Sequence, residues 1–134
     1  MTLDEAARKY LGVPFLHQGR NPAVGIDCIG LIVCAGKDCG MAFPAFDSTA
    51  YGPDPAHGLL ERHLQAAFGP PVPVADIGPG DVVSINFAGA VRHVGIVGKH
   101  PDGLSLIHTN SSEDCVTEAR IDSRWLRRIA GVYR

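Results

Sequence analysis

A cysteine that directly follows an aspartate opens the most regular apolar pattern of the chain. After Asp27 and Cys28, apolar residues recur at spacings of three and four, as on one face of a helix. The free N–H groups and the dipole at a helix start favour negative charge, so they can lower the pKa of a thiol. The Cys28 N–H can also donate to a developing oxyanion. Cys28 is therefore a candidate nucleophile, the alternative being a small buried hydrophobe, the usual role of a free cysteine.

Two histidines on neighbouring predicted strands are candidates for activating this thiol. His93 lies among small or apolar residues, and His108 projects from the next strand on the same face. One imidazole can take the thiol proton, and a second polar group can hold that imidazole in one tautomer. Asn110 is the rival for the orienting role, and each histidine alone has a structural alternative as a satisfied core or strand-end residue. Together the three residues follow the nucleophile–base–orienter order of a cysteine hydrolase.

The elements that must position these residues are helices first and strands afterwards. The first predicted helix covers residues 3–11, with Thr2 and Glu5 as a capping box. The second begins at Asp27 or Cys28, with Asp27 as its cap, and the third covers residues 59–68. Strands are predicted at residues 81–87, 91–98, 104–109, 115–121 and 129–133. This order predicts an α+β fold, with N-terminal helices packed on a C-terminal antiparallel sheet of about five strands. A length of 134 residues fits one domain, residues 1–134.

Composition excludes several classes of function. A net charge of −2 argues against a general nucleic-acid binder, which needs a basic surplus. The longest apolar run, residues 29–36, is far shorter than a membrane-spanning helix, so no membrane insertion is expected. The charged N-terminus lacks the apolar core of a secretory signal, which predicts synthesis in the cytoplasm without a signal peptide. The four cysteines form no Cys-x-x-Cys pair and the six histidines have no ligand spacing, so neither a metal nor another cofactor is expected.

Several short segments, spread over almost the whole chain, resemble motifs of one family. They are residues 10–15, 25–32, 79–83, 92–97 and 106–108. The first four are similar to the Tyr-x-Gly-x-Pro-Tyr, Asp-Cys-Ser-Gly-Leu-Val, Pro-Gly-Asp-Leu and His-Val-Gly-Ile-Tyr motifs of NlpC-type cell-wall cysteine peptidases. The fifth resembles the strand that carries their third catalytic residue. Each match is weak alone, and their common order makes the resemblance specific.

The resemblance implies a papain-like fold and a defined chemistry. It implies hydrolysis of the short peptide stems of peptidoglycan, often at the bond between D-glutamate and a diamino acid. It makes Cys28 the nucleophile, His93 the general base and acid, and His108 the orienting residue. It requires no cofactor.

Two residues depart from the family pattern. Phe15 stands where many members have a tyrosine whose hydroxyl lies near the oxyanion. Because Phe15 cannot donate, His17 or Gln18 is the candidate substitute, unless the backbone N–H acts alone. Ile29 replaces the serine after the cysteine, at the stem-peptide end of the cleft. A loop with Tyr51, Asp54 and His57 either borders the cleft or is a solvated connector.

Within the family, residues 15–20 look most like phage-tail and gene-transfer-agent peptidases. This implies phage-tail or tail-like hub proteins as partners and a location in a virion or particle tail, from which the protein acts on the periplasmic cell wall. Two alternatives stay open. One is a structural tail-assembly component with vestigial activity, and the other is an amidase on the same fold.

Overall fold

A five-stranded antiparallel sheet forms the centre of the computed structural model, which describes residues 1–41, 43, 47, 51–52 and 58–134. Before the sheet come α1 (Leu3–Arg8), the short strands β1 (Arg20–Asn21) and β2 (Gly25–Ile26), α2 (Cys28–Asp38) and α3 (Leu59–Phe68). The remaining elements are β3 (Val82–Phe87), β4 (Ala90–His100), β5 (Gly103–His108), β6 (Thr117–Arg120), α4 (Ser123–Arg128) and β7 (Ile129–Tyr133). The strand order is β6-β5-β4-β3-β7. The predicted α+β fold with five antiparallel strands is confirmed.

The sheet separates two apolar layers. On one face, Val94 and Ile96 pack with buried residues of α1, α2 and α3. On the other face, Val97 and Leu106 pack with the partly buried Trp125 of α4. Alternation along each strand sends successive side chains to opposite layers, so both faces are covered.

The local structure differs from the sequence-based predictions in four places. Helix α1 ends at Arg8 rather than at residue 11, because Tyr10 and Leu11 bond three residues back in turns. The predicted capping box is wrong, since the Thr2 side chain makes no cap hydrogen bond. The strand pair β1–β2 and helix α4 were not predicted. Helix α4 has only six residues and is capped by Asp122, which accepts from the Trp125 N–H at 3.0 Å; it is too short to show an apolar period.

A bulge interrupts the ladder between β3 and β4. Ile85 pairs with His93 and Asn86 pairs with Val91, so Arg92 is the extra residue. Beyond the bulge, Val83 faces Gly95. An added Cβ at Gly95 would lie 2.6 Å from Leu106 Cδ1 and 3.3 Å from the His108 Cβ. The absent side chain at Gly95 therefore lets the neighbouring strand bring His108 close to β4.

A second close approach fixes the start of α2. A Cβ on Gly30 would lie 2.2 Å from the Gly19 carbonyl oxygen, and one on Gly19 would lie 2.2 Å from the Gly25 carbonyl oxygen. These contacts are with backbone atoms, which cannot rotate away. The loop before α2 is thus packed directly on the first turn of the helix.

We expect Gly30→Ala to lower the free energy of unfolding by about 1–3 kcal/mol, because the methyl group forces the loop off the helix. This loss exceeds the gain of up to ~1 kcal/mol that alanine brings to a helix interior. Urea denaturation measures it. Gly78→Ala is the matched control, since nothing lies within 4 Å of its added Cβ. Equal stability of Gly30→Ala and wild type would contradict the close packing.

Candidate active site

Cys28 is the first residue of α2 and is half-buried at the end of the helix that faces the sheet. Asp27 caps the helix, accepting a 2.8 Å hydrogen bond from the Gly30 N–H at Oδ1. The Val94 backbone is close enough to the thiol to act on its pKa. The nucleophile candidate therefore lies against β4, one residue from His93.

His93 and His108 form a buried pair on the neighbouring strands β4 and β5. His93 Nε2 lies 2.8 Å from His108 Nδ1, and the two side chains are 3% and 1% exposed. The His108 ring also stands edge-on to Trp125, with centroids 5.0 Å apart. The alternative orienting residue, Asn110, instead accepts from the Glu113 N–H at Oδ1. The structure thus links His108, rather than Asn110, to His93.

Burial keeps both imidazoles neutral. Burial, followed by the neighbouring His108, lowers the pKa of His93 to about 3, and burial lowers the pKa of His108 to about 4. A neutral His108 can accept at Nδ1 the proton that His93 carries on Nε2. In that tautomer His93 Nδ1 has a free lone pair, as a general base requires.

The thiol behaves differently from the sequence-based expectation. Burial, followed by the negative charge of Asp27, raises the pKa of Cys28 to about 12, although the backbone groups of Val94 and Ile29 act in the opposite direction. The expected lowering of the Cys28 pKa by the helix start is therefore wrong. The resting pair is a neutral thiol beside a neutral imidazole.

The carboxylate of Asp27 holds together the loop, the helix and one wall of the site. Besides the Gly30 N–H, it accepts from Arg20 Nη1 at 2.9 Å and from the Gln18 N–H at 2.9 Å. The Tyr51 hydroxyl donates to Asp27 Oδ2. Burial and this hydrogen bond raise the pKa of Tyr51, so its hydroxyl stays protonated. Asp27 thus caps the helix, as expected from the sequence, and it also accepts hydrogen bonds from three further groups.

Cys28 and His93 line one narrow pocket of about 80 Å³. Phe15, His17 and Ile29 lie in its wall, as do Tyr51 and Thr109. The Thr109 hydroxyl is buried without a hydrogen-bond partner in the part of the chain that the structure describes.

The other residues predicted to border the cleft do not all line the pocket. His17 stands edge-on to Tyr51, with ring centroids 5.5 Å apart. The Gln18 side chain donates to the Tyr51 carbonyl at 2.8 Å and does not line the pocket. Asp54 and His57 lie outside the described residues.

A second pocket of about 190 Å³ adjoins the first at His93. The two pockets share Arg92, His93, Asn110 and Ser111, and the second is also lined by Phe87 and Ser112. Sequence reasoning missed Arg92, and it missed Arg20 as the ion-pair partner of Asp27. Arg92 immediately precedes the histidine candidate, and this position was the only available signal.

Within residues 1–41, 43, 47, 51–52 and 58–134, no cluster of three or more His, Cys, Asp or Glu side chains is arranged to hold a metal ion. Over the same residues, no helix combines the length and the apolar character needed to cross a membrane.

Comparison with known proteins relates almost the whole chain to one family. A model described as "NlpC/P60 family" matches residues 12–134. Gamma-DL-glutamyl hydrolase of Bacillus subtilis (strain 168) is 26% identical over 133 residues, which cover 97% of this chain and 28% of the relative. A Mycobacterium tuberculosis protein named "Probable endopeptidase" is 32% identical over 108 residues, which cover 80% of this chain and 22% of the relative. The chain spans about a quarter of the length of these curated relatives.

A solved structure shares the fold. An NlpC/P60 family protein from Bacillus cereus ATCC 10987 superposes with a TM-score of 0.70 at 21% sequence identity, over 99% of this chain and 39% of that chain. At this identity the likeness concerns the fold alone, which is the papain-like α+β arrangement.

The buried histidines predict a loss of stability in acid. A histidine in an unfolded chain titrates near pH 6.5, whereas the pKa values of His93 and His108 lie at about 3 and 4. As the pH falls below about 6.5, the unfolded chain binds protons that the folded chain does not. The free energy of unfolding should therefore decrease by about 1.4 kcal/mol per pH unit for each histidine, from about pH 6 to pH 4.

Urea denaturation at pH 7.5, 6.0 and 5.0 measures this dependence. His108→Gln should show a shallower pH dependence than wild type, because one of the two groups is gone. The control is Val24→Ala at a 61% exposed position, which removes no titratable group and should keep the wild-type slope. Identical slopes for wild type and His108→Gln would contradict the neutral buried pair.

Proposed function

The chain belongs to the NlpC/P60 family, and from that premise we propose that it is a cysteine peptidase that hydrolyses the peptide stems of bacterial peptidoglycan. The observation that carries the proposal is the 2.8 Å hydrogen bond between His93 Nε2 and His108 Nδ1, together with the pocket that His93 shares with Cys28. These three residues supply a nucleophile, a base and an orienter. We take residues 1–134 as one peptidase domain.

The proposed reaction begins with attack of Cys28 on a stem-peptide amide. As the sulfur bonds to the carbonyl carbon, His93 Nδ1 takes the thiol proton and His108 Nδ1 accepts from the resulting imidazolium. The oxyanion lies at the start of α2, where the Cys28 N–H donates to it. His93 then gives its proton to the leaving nitrogen as the C–N bond breaks, which leaves a thioester on Cys28.

Hydrolysis of the thioester restores the site. His93 takes a proton from water as the water oxygen attacks the carbonyl carbon. The C–S bond then breaks, the acid product leaves, and the proton returns to sulfur. No step needs a metal or an organic cofactor.

His17 is the proposed side-chain donor to the oxyanion, since Phe15 has no hydroxyl. His17 lines the pocket with Cys28. Gln18 is the weaker candidate, because its amide nitrogen already donates to the Tyr51 carbonyl. Phe15 is left as an apolar part of the pocket wall.

The bond after D-glutamate is the proposed point of cleavage. The name of the B. subtilis relative refers to a γ-glutamyl linkage, and the M. tuberculosis relative is named an endopeptidase. Ile29, 2% exposed in the pocket wall, gives the acyl side an apolar surface where a serine would offer a hydroxyl.

Cys28→Ala should abolish turnover and leave the melting temperature nearly unchanged, because it removes the nucleophile from a half-buried position. Mass spectrometry of muropeptides from digested peptidoglycan detects each new amine and carboxyl end and so identifies the bond. Cys39→Ala is the matched control, since Cys39 is also half-buried but lies at the other end of α2.

Three results decide between the peptidase, amidase and structural hypotheses. Cleavage at the wild-type rate by Cys28→Ala contradicts the mechanism. New ends at the bond between muramic acid and L-alanine identify an amidase. Absence of any new end with wild-type protein favours a structural role.

We also propose that the protein acts from a phage-like tail, with tail-hub proteins as partners. The support is the likeness of residues 15–20 to tail peptidases. If the proposal is right, particles purified from the producing cells by density gradient carry the protein in the tail fraction, detected by mass spectrometry. Its presence only in particle-free lysate would exclude this location.

A further inference from the structure

Two buried side-chain oxygens lack a hydrogen-bond partner among the residues that the structure describes. One is Glu61 Oε1 on α3, and the other is Oγ1 of Thr109, the residue directly after β5. Thr109 is 0% exposed and lines the pocket that contains Cys28 and His93. A buried hydroxyl without a partner disfavours the folded state, because it has left water and formed no bond in exchange. Its position in this pocket therefore points to a partner that arrives with the substrate.

Other polar side chains of the same pocket already have partners within the protein. The Asp27 carboxylate accepts from four donors. The Tyr51 hydroxyl donates to that carboxylate and accepts from Arg20 Nη2 at 3.1 Å. Among the described residues, nothing occupies the donor or the acceptor of the Thr109 hydroxyl. This hydroxyl can therefore bind a ligand without breaking a bond inside the protein.

The backbone on both sides of Thr109 is held in place. Before it, His108 pairs with Thr117 in the ladder between β5 and β6. After it, Asn110 closes a turn, since its Oδ1 and its carbonyl oxygen lie 3.0 and 3.1 Å from the Glu113 nitrogen and accept from that N–H. Thr109 thus lies between a strand end and a closed turn. A group fixed in this way loses little conformational entropy when it binds a ligand.

The position and the size of the pocket indicate which group meets the hydroxyl. Ile107, two residues before Thr109, packs in the same apolar layer as Cys28, and alternation places Thr109 on that side of the sheet. The pocket volume of about 80 Å³ is roughly that of two to three water molecules, so it admits one small polar group. A hydroxyl both donates and accepts, as an amide does. Amide groups flank the attacked carbonyl on both sides in a stem peptide.

We propose that the Thr109 hydroxyl binds the stem peptide through a hydrogen bond to an amide group that flanks the attacked carbonyl. This inference rests on the proposed function and adds a substrate-binding residue to it. Thr109 contacts the substrate away from the reacting atoms, so its hydrogen bond is equally strong before and during the reaction. Loss of such a bond raises KM and leaves kcat nearly unchanged.

The kinetic test uses Thr109→Val and the tetrapeptide L-Ala-γ-D-Glu-meso-diaminopimelate-D-Ala. Valine keeps the branched shape and removes the hydroxyl, so KM should rise about 5- to 100-fold at nearly constant kcat. Thr109→Ser keeps the hydroxyl and should stay close to wild type. The control is Thr117→Val, at a partly exposed position on β6 that lines neither pocket, which should keep the wild-type KM. An unchanged KM in Thr109→Val, or a fall in kcat alone, would overturn the inference.

Thermal unfolding without peptide distinguishes a binding residue from a structural one. Because Thr109→Val removes an unpartnered buried hydroxyl, it should raise the melting temperature by a few degrees, although it weakens substrate binding. A threonine that holds the fold together through its hydroxyl would show the opposite change. A melting temperature equal to or below that of wild type would mean that the hydroxyl is bonded within the folded protein, and the inference would be wrong.

A binding measurement separates this inference from the proposed reaction. Calorimetry compares the same tetrapeptide on Cys28→Ala and on Cys28→Ala/Thr109→Val, neither of which has the nucleophile. Weaker binding by the double variant, by the same factor as the rise in KM, supports the role of Thr109. This result supports it even if the wild-type protein cleaves no stem peptide, which would refute only the proposed function. Equal binding by the two variants, or no binding by Cys28→Ala, refutes the role of Thr109 even if hydrolysis is observed.

Discussion

The buried carboxylate of Asp27 is the constraint on which the rest of the site depends. It is 4% exposed, and a charge at that depth is stable only when paired and hydrogen-bonded. Its four donors come from the first turn of α2, from the loop before it and from Tyr51. One carboxylate thus fixes the helix start that carries Cys28 relative to the pocket wall. The close backbone contact between Gly30 and Gly19 makes the same junction rigid.

This arrangement disfavours the thiolate form of Cys28, as a comparison of two free energies shows. A helix terminus stabilises a negative charge by roughly 0.3–2 kcal/mol, whereas removing an ion from water costs several kcal/mol. Burial and the nearby Asp27 therefore outweigh the helix start and raise the pKa of Cys28. In the proposed reaction, the helix start contributes later, when the Cys28 N–H donates to the oxyanion. In that mechanism Cys28 and His93 form a neutral pair before attack, and charge separates only as the substrate is attacked.

The sequence predicted the residues with strong local patterns. Alternation gave the strands that carry His93 and His108 on one face, and the apolar period gave α2 with its Asp27 cap. It did not predict α4, because six residues between two strands carry no period. As a result Trp125, which packs on the His108 ring, was also missed. The Arg20–Asp27 ion pair and the bulge at Arg92 depend on how segments pack and pair, and neither has a signature in local residue order.

Strand β4 combines the features that the proposed chemistry needs. Gly95 lets β5 approach closely enough for His108 to reach His93. On the other side of His93, the extra residue Arg92 interrupts the ladder with β3. A continuous ladder would keep the layer with α2 apart from the layer with the histidine pair, and a bulge adds local twist and bends the strand. His93 can thus belong to the layer of His108 and also line a pocket with Cys28.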